Sequence, residues 1–267
     1  MEDKLHEQLQ SLQPTKRQRI IRKLIMAALG SIPWMGGFLT AAQAYKEEKG
    51  QIEIDSLQRQ WLEEHHLKMK NLARDLTEIV ERLDSLGDEI QSRIESEEYL
   101  ALVRKAFRAW DQADTEQKKE YIKRLIANAG ASALCSDDLI RLFLDWLERY
   151  HEAHFKVMRE IFKNPGITRY KIWENIHGKF PRDDSSEADL FRFLIGDLSM
   201  GRIIRQHRDT NYAGQFITKT RSKSPSSGVM KSAFDDEEPY ELTELGKKFV
   251  HYVFSDIIKR IENPGPE

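Results

Sequence analysis

From Leu24 to Tyr45 the chain reads LIMAALGSIPWMGGFLTAAQAY, a run without a single charge. A stretch this apolar has to be shielded from water, by protein or by lipid. Directly before it, Lys16, Arg17, Arg19, Arg22 and Lys23 add positive charge with no acidic residue among them. Gly30, Pro33, Gly36 and Gly37 interrupt the middle of the run. Pro33 cannot donate a backbone hydrogen bond and turns Ile32 away from helix. The pattern predicts two short helical arms joined by a GSIPWMGG turn.

Length limits what such a hairpin does. Each arm spans roughly 15 Å, half of a hydrocarbon core, so a tight hairpin does not cross a bilayer. A single bent span would reach roughly 33 Å, with the basic run on the cytoplasmic side. A third arrangement lies in the membrane interface, anchored by Trp34 and Tyr45. The fourth is burial in the protein's own core or in an oligomer seam. The residues expected to meet membrane or partner are Leu24, Ile25, Leu29, Ile32, Pro33, Trp34, Met35, Phe38 and Leu39. Lys16, Arg17, Arg19, Arg22 and Lys23 form the basic anchor.

A heptad pattern follows. Leu62, His65, Met69, Leu72, Leu76, Ile79, Leu83, Leu86 and Ile90 are spaced by alternating steps of three and four. This predicts a long helix over about 55–95 with a coiled-coil-like seam roughly 42 Å long. Such a seam packs on another helix of this chain or of a second copy. His65 is the polar member, read either as a partly exposed histidine or as a register- or pH-setting residue.

Further helices follow. Leu100, Val103, Phe107 and Trp110 mark one over 97–111. Asp114 and Gln117 look like a capping box for the next, which presents Tyr121, Ile122, Leu125 and Ile126. Ser136 or Asp137 opens another, read as continuous through Trp146, Tyr150, Met158 and Phe162 until Asn164-Pro165-Gly166 stops it. Thr168 then caps a short helix closed by Gly178. Ser185 or Ser186 opens one that buries Leu190, Phe191, Leu194 and Leu198. Strands are expected at 202–206, 215–219 and 240–242, and Thr243 caps a last helix. That order is the order of a winged-helix module. The fold expected is mainly α: a basic and apolar hairpin segment at 1–50, a helical bundle with the heptad helix at 51–164, and a winged-helix-like α+β module at 165–267.

No catalytic constellation emerges. His151 and His154 are three apart, where helical zinc motifs place them four apart, and are read as a solvated helix face. Asp137 and Asp138 suit a helix start. Cys135 reads as a small buried apolar residue. GSIPWMGG lacks the Lys and Ser or Thr of a phosphate loop. No metal, cofactor or small-molecule substrate is expected. Arg202, Arg205, Arg208, Lys219, Arg221, Lys223 and Lys231 oppose Asp209 alone, a basic stretch able to track a nucleic-acid backbone. The helix before it carries Glu187, Asp189 and Asp197, the wrong sign for phosphate.

Composition sets the outer limits. Of 267 residues, 40% are hydrophobic and 32% charged, a globular balance, and the net charge of −2 gives no global pull toward nucleic acid or membrane. One cysteine excludes an intrachain disulfide and fits a reducing compartment. Met1–Gln13 is too polar for a signal peptide. A cytoplasmic location is expected, with peripheral contact to the inner face of the membrane as the variant that the basic anchor favours.

The IPWMGG turn before a long helix, the EYIKRLIANAGAS helix and the closing YELTELGKKFV together resemble the Abi-alpha-like group of bacterial proteins associated with abortive infection. The resemblance covers about a fifth of the chain. It implies a bacterial origin and a role in phage defence or toxicity, and it carries no active-site residue with it. The function expected is a non-enzymatic interaction protein that pairs through its heptad helix, with a DNA-binding regulator as the alternative.

Overall fold

The computed structural model describes residues 16–38, 40, 56–84, 90–131, 134–208, 211, 213, 215, 217 and 232–254; for 16–20, 56–62 and 84 it describes the backbone alone. The protein is mainly helical, with one small three-stranded sheet. It groups into two compact units, Met1–Glu148 with Tyr252–Glu267, and Arg149–His251. The N-terminal segment groups with the helices that follow it, and the helix ending at Lys163 groups with the sheet.

The first unit opens with α1 (Lys16–Leu29). Its end is closed by Gly30 donating to the Met26 carbonyl at 2.9 Å, and Pro33 stands exposed on the turn. The chain is helical again over 35–38, inside the turn expected at 30–37, and most of the second expected arm lies outside the described residues. Then come α2 (Ser56–Asp84), α3 (Gln91–Glu95), α4 (Glu97–Gln112), α5 (Glu116–Ala131) and α6 (Asp137–Arg149). Ser96, extended at φ −65° and ψ 141°, caps α4 by accepting from the Tyr99 amide at 3.2 Å. Glu97 and Glu98 in the first turn suit the positive end of the helix. Leu100, Val103, Phe107 and Trp110 are buried as their spacing predicts. Helix α4 packs on α1, α3 and α5, and α2 packs on α5. At Gly130 a Cβ would lie 2.6 Å from the Tyr99 hydroxyl, so glycine lets α5 approach its neighbours closely.

Three expectations are corrected here. The helix drawn over 55–95 is broken: α2 ends at Asp84, and Ile90 stands before α3, which stops at the extended Ser96. Residues 85–89 between them lie outside the described residues. Helix α5 is capped by Thr115, which accepts from the Lys118 amide at 3.2 Å, while Asp114 pairs with the Lys118 ammonium at 3.3 Å. The helix drawn through 137–162 divides into α6 and α7 (Glu152–Lys163). His151 is extended at the break, and its amide donates to His154 Nδ1 at 3.2 Å in place of a helical carbonyl.

The second unit continues with β1 (Ile167–Thr168), α8 (Arg169–His177), α9 (Ser186–Met200), β2 (Ile204–Gln206), β3 (Pro239–Leu242) and α10 (Glu244–Phe254), whose last residues, from Tyr252, count with the first unit. The side chains of Thr168, Ser185 and Thr243 accept amides of the first turns of α8, α9 and α10. Gly178 ends α8 at φ 76°, a backbone that favours glycine. The sheet order is β1-β3-β2, all antiparallel, with Ile167 opposite Tyr240 and Arg205 opposite Glu241. Phe155, Met158, Ile172, Phe191, Leu198 and Phe249 are among its buried side chains. Leu190 was expected with them but is 54% exposed, and Phe162 is 47% exposed. Gln215 and Ile217 lie in no strand, and the rest of the expected strand at 215–219 falls outside the described residues.

Candidate interaction surfaces

The apolar segment is covered by its own unit. Leu24, Ala28, Ile32, Met35 and Phe38 are buried, one face of α1 and the turn after it. Ile25, Leu29 and Trp34 are half-buried, Pro33 is exposed, and Leu39 lies outside the described residues. Helices α3 and α4 supply the cover for α1. Trp34 Nε1 donates to Asp111 Oδ1 at 2.7 Å, tying the turn to the end of α4. The Trp34 ring meets the His65 ring edge-on at 4.9 Å, and Phe38 stacks on the same imidazole at 6.4 Å. His65 is thus a buried ring in a three-ring cluster with Trp34 and Phe38, not a partly exposed one. The outer face carries Arg22, Lys23 and Met26, all exposed. The side chains of Lys16, Arg17 and Arg19 lie outside the described residues, although their backbone is helical.

The heptad face of α2 is also filled from within. Leu72, Leu76, Ile79 and Leu83 are buried, and Met69 is half-buried. The Leu62 side chain and Leu86 lie outside the described residues. This seam packs on α5 of the same chain, so the side chains seen there are not available to a second copy.

Beside the seam lies a charged cluster that the sequence reading missed. Asp75, 3% exposed, accepts from Trp110 Nε1 at 2.9 Å and Arg74 Nε at 3.2 Å, with Lys123 Nζ at 3.7 Å. Lys123 also pairs with Glu78 and Glu120, and Arg124 pairs with Glu120 at 2.7 Å. Burial opposes charge on Glu120, but hydrogen bonds from Lys123 and Arg124 outweigh it and hold the carboxyl below its usual range. Burial likewise disfavours charge on Lys123, and its bonds to Glu120 and Glu78 raise its pKa instead. Matched donors and acceptors of this kind fix α2 against α5 rather than act on a substrate. The one signal in the sequence was Asp75 set between Leu72 and Leu76.

In the second unit His154 is buried, which corrects the solvated-face reading. Its Nδ1 accepts the His151 amide, which places the ring proton on Nε2, 3.3 Å from Asp197 Oδ2. Burial lowers the His154 pKa, only partly offset by Asp197. Nδ1 is taken up by the His151 amide, while Nε2 is buried facing the Asp197 carboxylate without a hydrogen bond, and no cluster of three or more metal-type ligands occurs among the described residues.

The basic stretch is divided. Arg202 and Arg208 are exposed. Arg205 Nε donates to Glu241 Oε1 at 2.6 Å, and His207 Nδ1 lies 2.8 Å from the other oxygen. Burial alone would raise the Glu241 pKa, but His207 and Arg205 bring it below the usual range. Arg205 is thereby neutralised on the sheet. Lys219, Arg221, Lys223 and Lys231 lie outside the described residues. No helix of the described residues is long and apolar enough to cross a membrane. Compared with protein-family models, with curated proteins and with solved structures, the chain matches none.

Proposed function

We propose that this chain is a non-enzymatic interaction protein that keeps an apolar N-terminal segment sheltered and delivers it, on a trigger, to an anionic membrane. The observation that carries the reading is the two-sidedness of α1 and its turn. One face buries Leu24, Ile32, Met35 and Phe38, while the other offers Arg22, Lys23, Met26 and Pro33 to solvent. The outer face suits anionic headgroups, and the inner face supplies the apolar area that would follow it into the interface. Pairing of the α2 heptad face within the chain, in coiled-coil fashion, belongs to the same reading: it holds the frame against which the segment rests. The resemblance to the Abi-alpha-like group is the reason to place this release in phage defence at the inner face of the cytoplasmic membrane.

Flotation with phosphatidylglycerol vesicles tests it. Asp111→Ala, which unties Trp34, is expected to float more than wild type, with binding lost in high salt and on neutral phosphatidylcholine. Failure of both proteins to float with anionic vesicles rejects the reading.

A second reading is a DNA-binding regulator. The order helix, strand, helix, helix, strand, strand, helix in the second unit supports a winged-helix module, and Arg202 and Arg208 are exposed beside its sheet. It requires steep salt dependence and loss of DNA retention on substituting Arg205, Arg208 and Arg221 by Ala. Retention that ignores salt would exclude it.

A further inference from the structure

We infer that two copies of this chain pair through the exposed face of α9, antiparallel about a twofold axis near the middle of that helix. The inference is independent of the membrane reading.

Helix α9 has two apolar faces. Phe191, Leu194 and Leu198 fill the core of the second unit. On the other side Leu190 is 54%, Phe193 58% and Met200 77% exposed. Their spacing of three and seven places them on one stripe. A single exposed apolar residue needs no explanation, but a stripe of three large ones along one helix marks a contact surface.

Gly196 lies inside that stripe. It is exposed, and nothing stands within 4 Å of where its Cβ would be. No packing within the chain therefore calls for glycine, which weakens an exposed helix interior relative to almost any other residue. A partner helix that comes close does call for it.

Charge selects the partner. Glu187 and Asp189 occupy the first turn of α9. Arg202 stands exposed just past its other end, held at φ 58° in a backbone region that favours glycine. An antiparallel twofold pair sets Phe193 of one copy over Gly196 of the other, Leu190 near Met200, and Asp189, which shares the exposed stripe with Phe193 and Gly196, beside Arg202. A parallel pair would bring the acidic turns together. The same acidic turn repels a nucleic-acid backbone. The α2 seam offers no alternative route to assembly along Leu72–Leu83, because α5 already fills it.

Sedimentation velocity on the full chain, from micromolar to near-millimolar concentration, reads the outcome. Wild type is expected to pass from monomer to dimer. Phe193→Asp and Gly196→Gln are each expected to weaken the dimer by at least about tenfold. Gly196→Gln guards against misfolding, because it should raise the melting temperature of the monomer while removing the dimer. Asp189→Arg and Arg202→Glu should each weaken pairing, and the two together should restore it. A monomer at every concentration, or a dimer indifferent to these substitutions, overturns the inference. So does a double charge exchange weaker than either single one, or an α9 face that binds duplex DNA or another protein while the chain stays monomeric.

Discussion

Trp34 and Asp111, far apart in the chain, meet in a 2.7 Å hydrogen bond that fastens the apolar N-terminal turn to the end of α4. The Trp34 ring also clusters with those of His65 and Phe38. The described part of this apolar segment is thus held by a polar tie and an apolar face.

Removing the tie should loosen this segment without dismantling the unit. Trp34→Phe keeps the ring but loses the donor, leaving a carboxylate without its indole partner. A cost of about 1–2 kcal/mol is expected in urea unfolding, with an unchanged slope. A cost near zero would show that the hydrogen bond does not hold the turn.

Asp75 is the most demanding charge in the first unit. Asp75→Ala leaves Lys123 buried with one acidic neighbour fewer and strands the Trp110 indole, and should cost about 3–5 kcal/mol. Asp75→Asn keeps an acceptor for Trp110 and should cost clearly less. Equal losses for the two variants, measured by denaturant titration, would contradict the assignment.

Gly130 admits no side chain without movement. Although alanine is the better helix residue, Gly130→Ala places a methyl 2.6 Å from the Tyr99 hydroxyl. The expected net cost is about 1–3 kcal/mol. Tyr99→Phe in the same chain removes the clashing oxygen, so the two substitutions together should cost less than their sum. Simple additivity in a double-mutant cycle would argue against the close approach.

Acid should act on the two units through different groups. Arg93, bonded to both oxygens of Asp137, holds that carboxyl low, and Glu120 and Glu241 are also depressed despite their burial. A depressed folded pKa gives stabilisation that is complete above the ordinary glutamate value of 4.5 and is lost as pH falls through the lower folded value. His154 differs in its window. Burial lowers its pKa from 6.5, so the unfolded chain takes the proton first, and stability declines as pH falls from 6.5 toward the folded value. His177, also lowered by burial, adds to the same window, so melting curves between about pH 8 and pH 3 should show both declines, and His154→Gln should shrink the upper one without touching the lower.

Much of the helical layout was legible because the signals are local. Ser185, Thr168, Thr243 and Gly178 mark helix ends by side-chain chemistry or backbone freedom, and the structure uses each of them. The apolar spacing of Leu100, Val103, Phe107 and Trp110 likewise named a buried face. What periodicity could not show was which of two apolar faces is buried. Leu190 follows the helical spacing as well as Phe191 does, and only the placement of α7 and the sheet decides between them. The break at Tyr150–His151 was hidden for a related reason. No glycine or proline marks it, and the group that compensates the lost helical bond is the imidazole of His154. The Asp75 cluster depends on α2, α4 and α5 meeting, a tertiary fact that spacing along one helix does not contain.

Hydrogen exchange over residues 24–38 is the most direct measurement of whether the chain shelters its own apolar segment. Without lipid, the amides of α1 and the turn should be protected together with those of α4. When anionic vesicles are added, α4 should lose protection as its cover leaves, while 24–38 stays protected in the interface. Exchange of 24–38 at the rate of an unfolded chain in the lipid-free protein, or a pattern that anionic vesicles leave unchanged, would contradict the account.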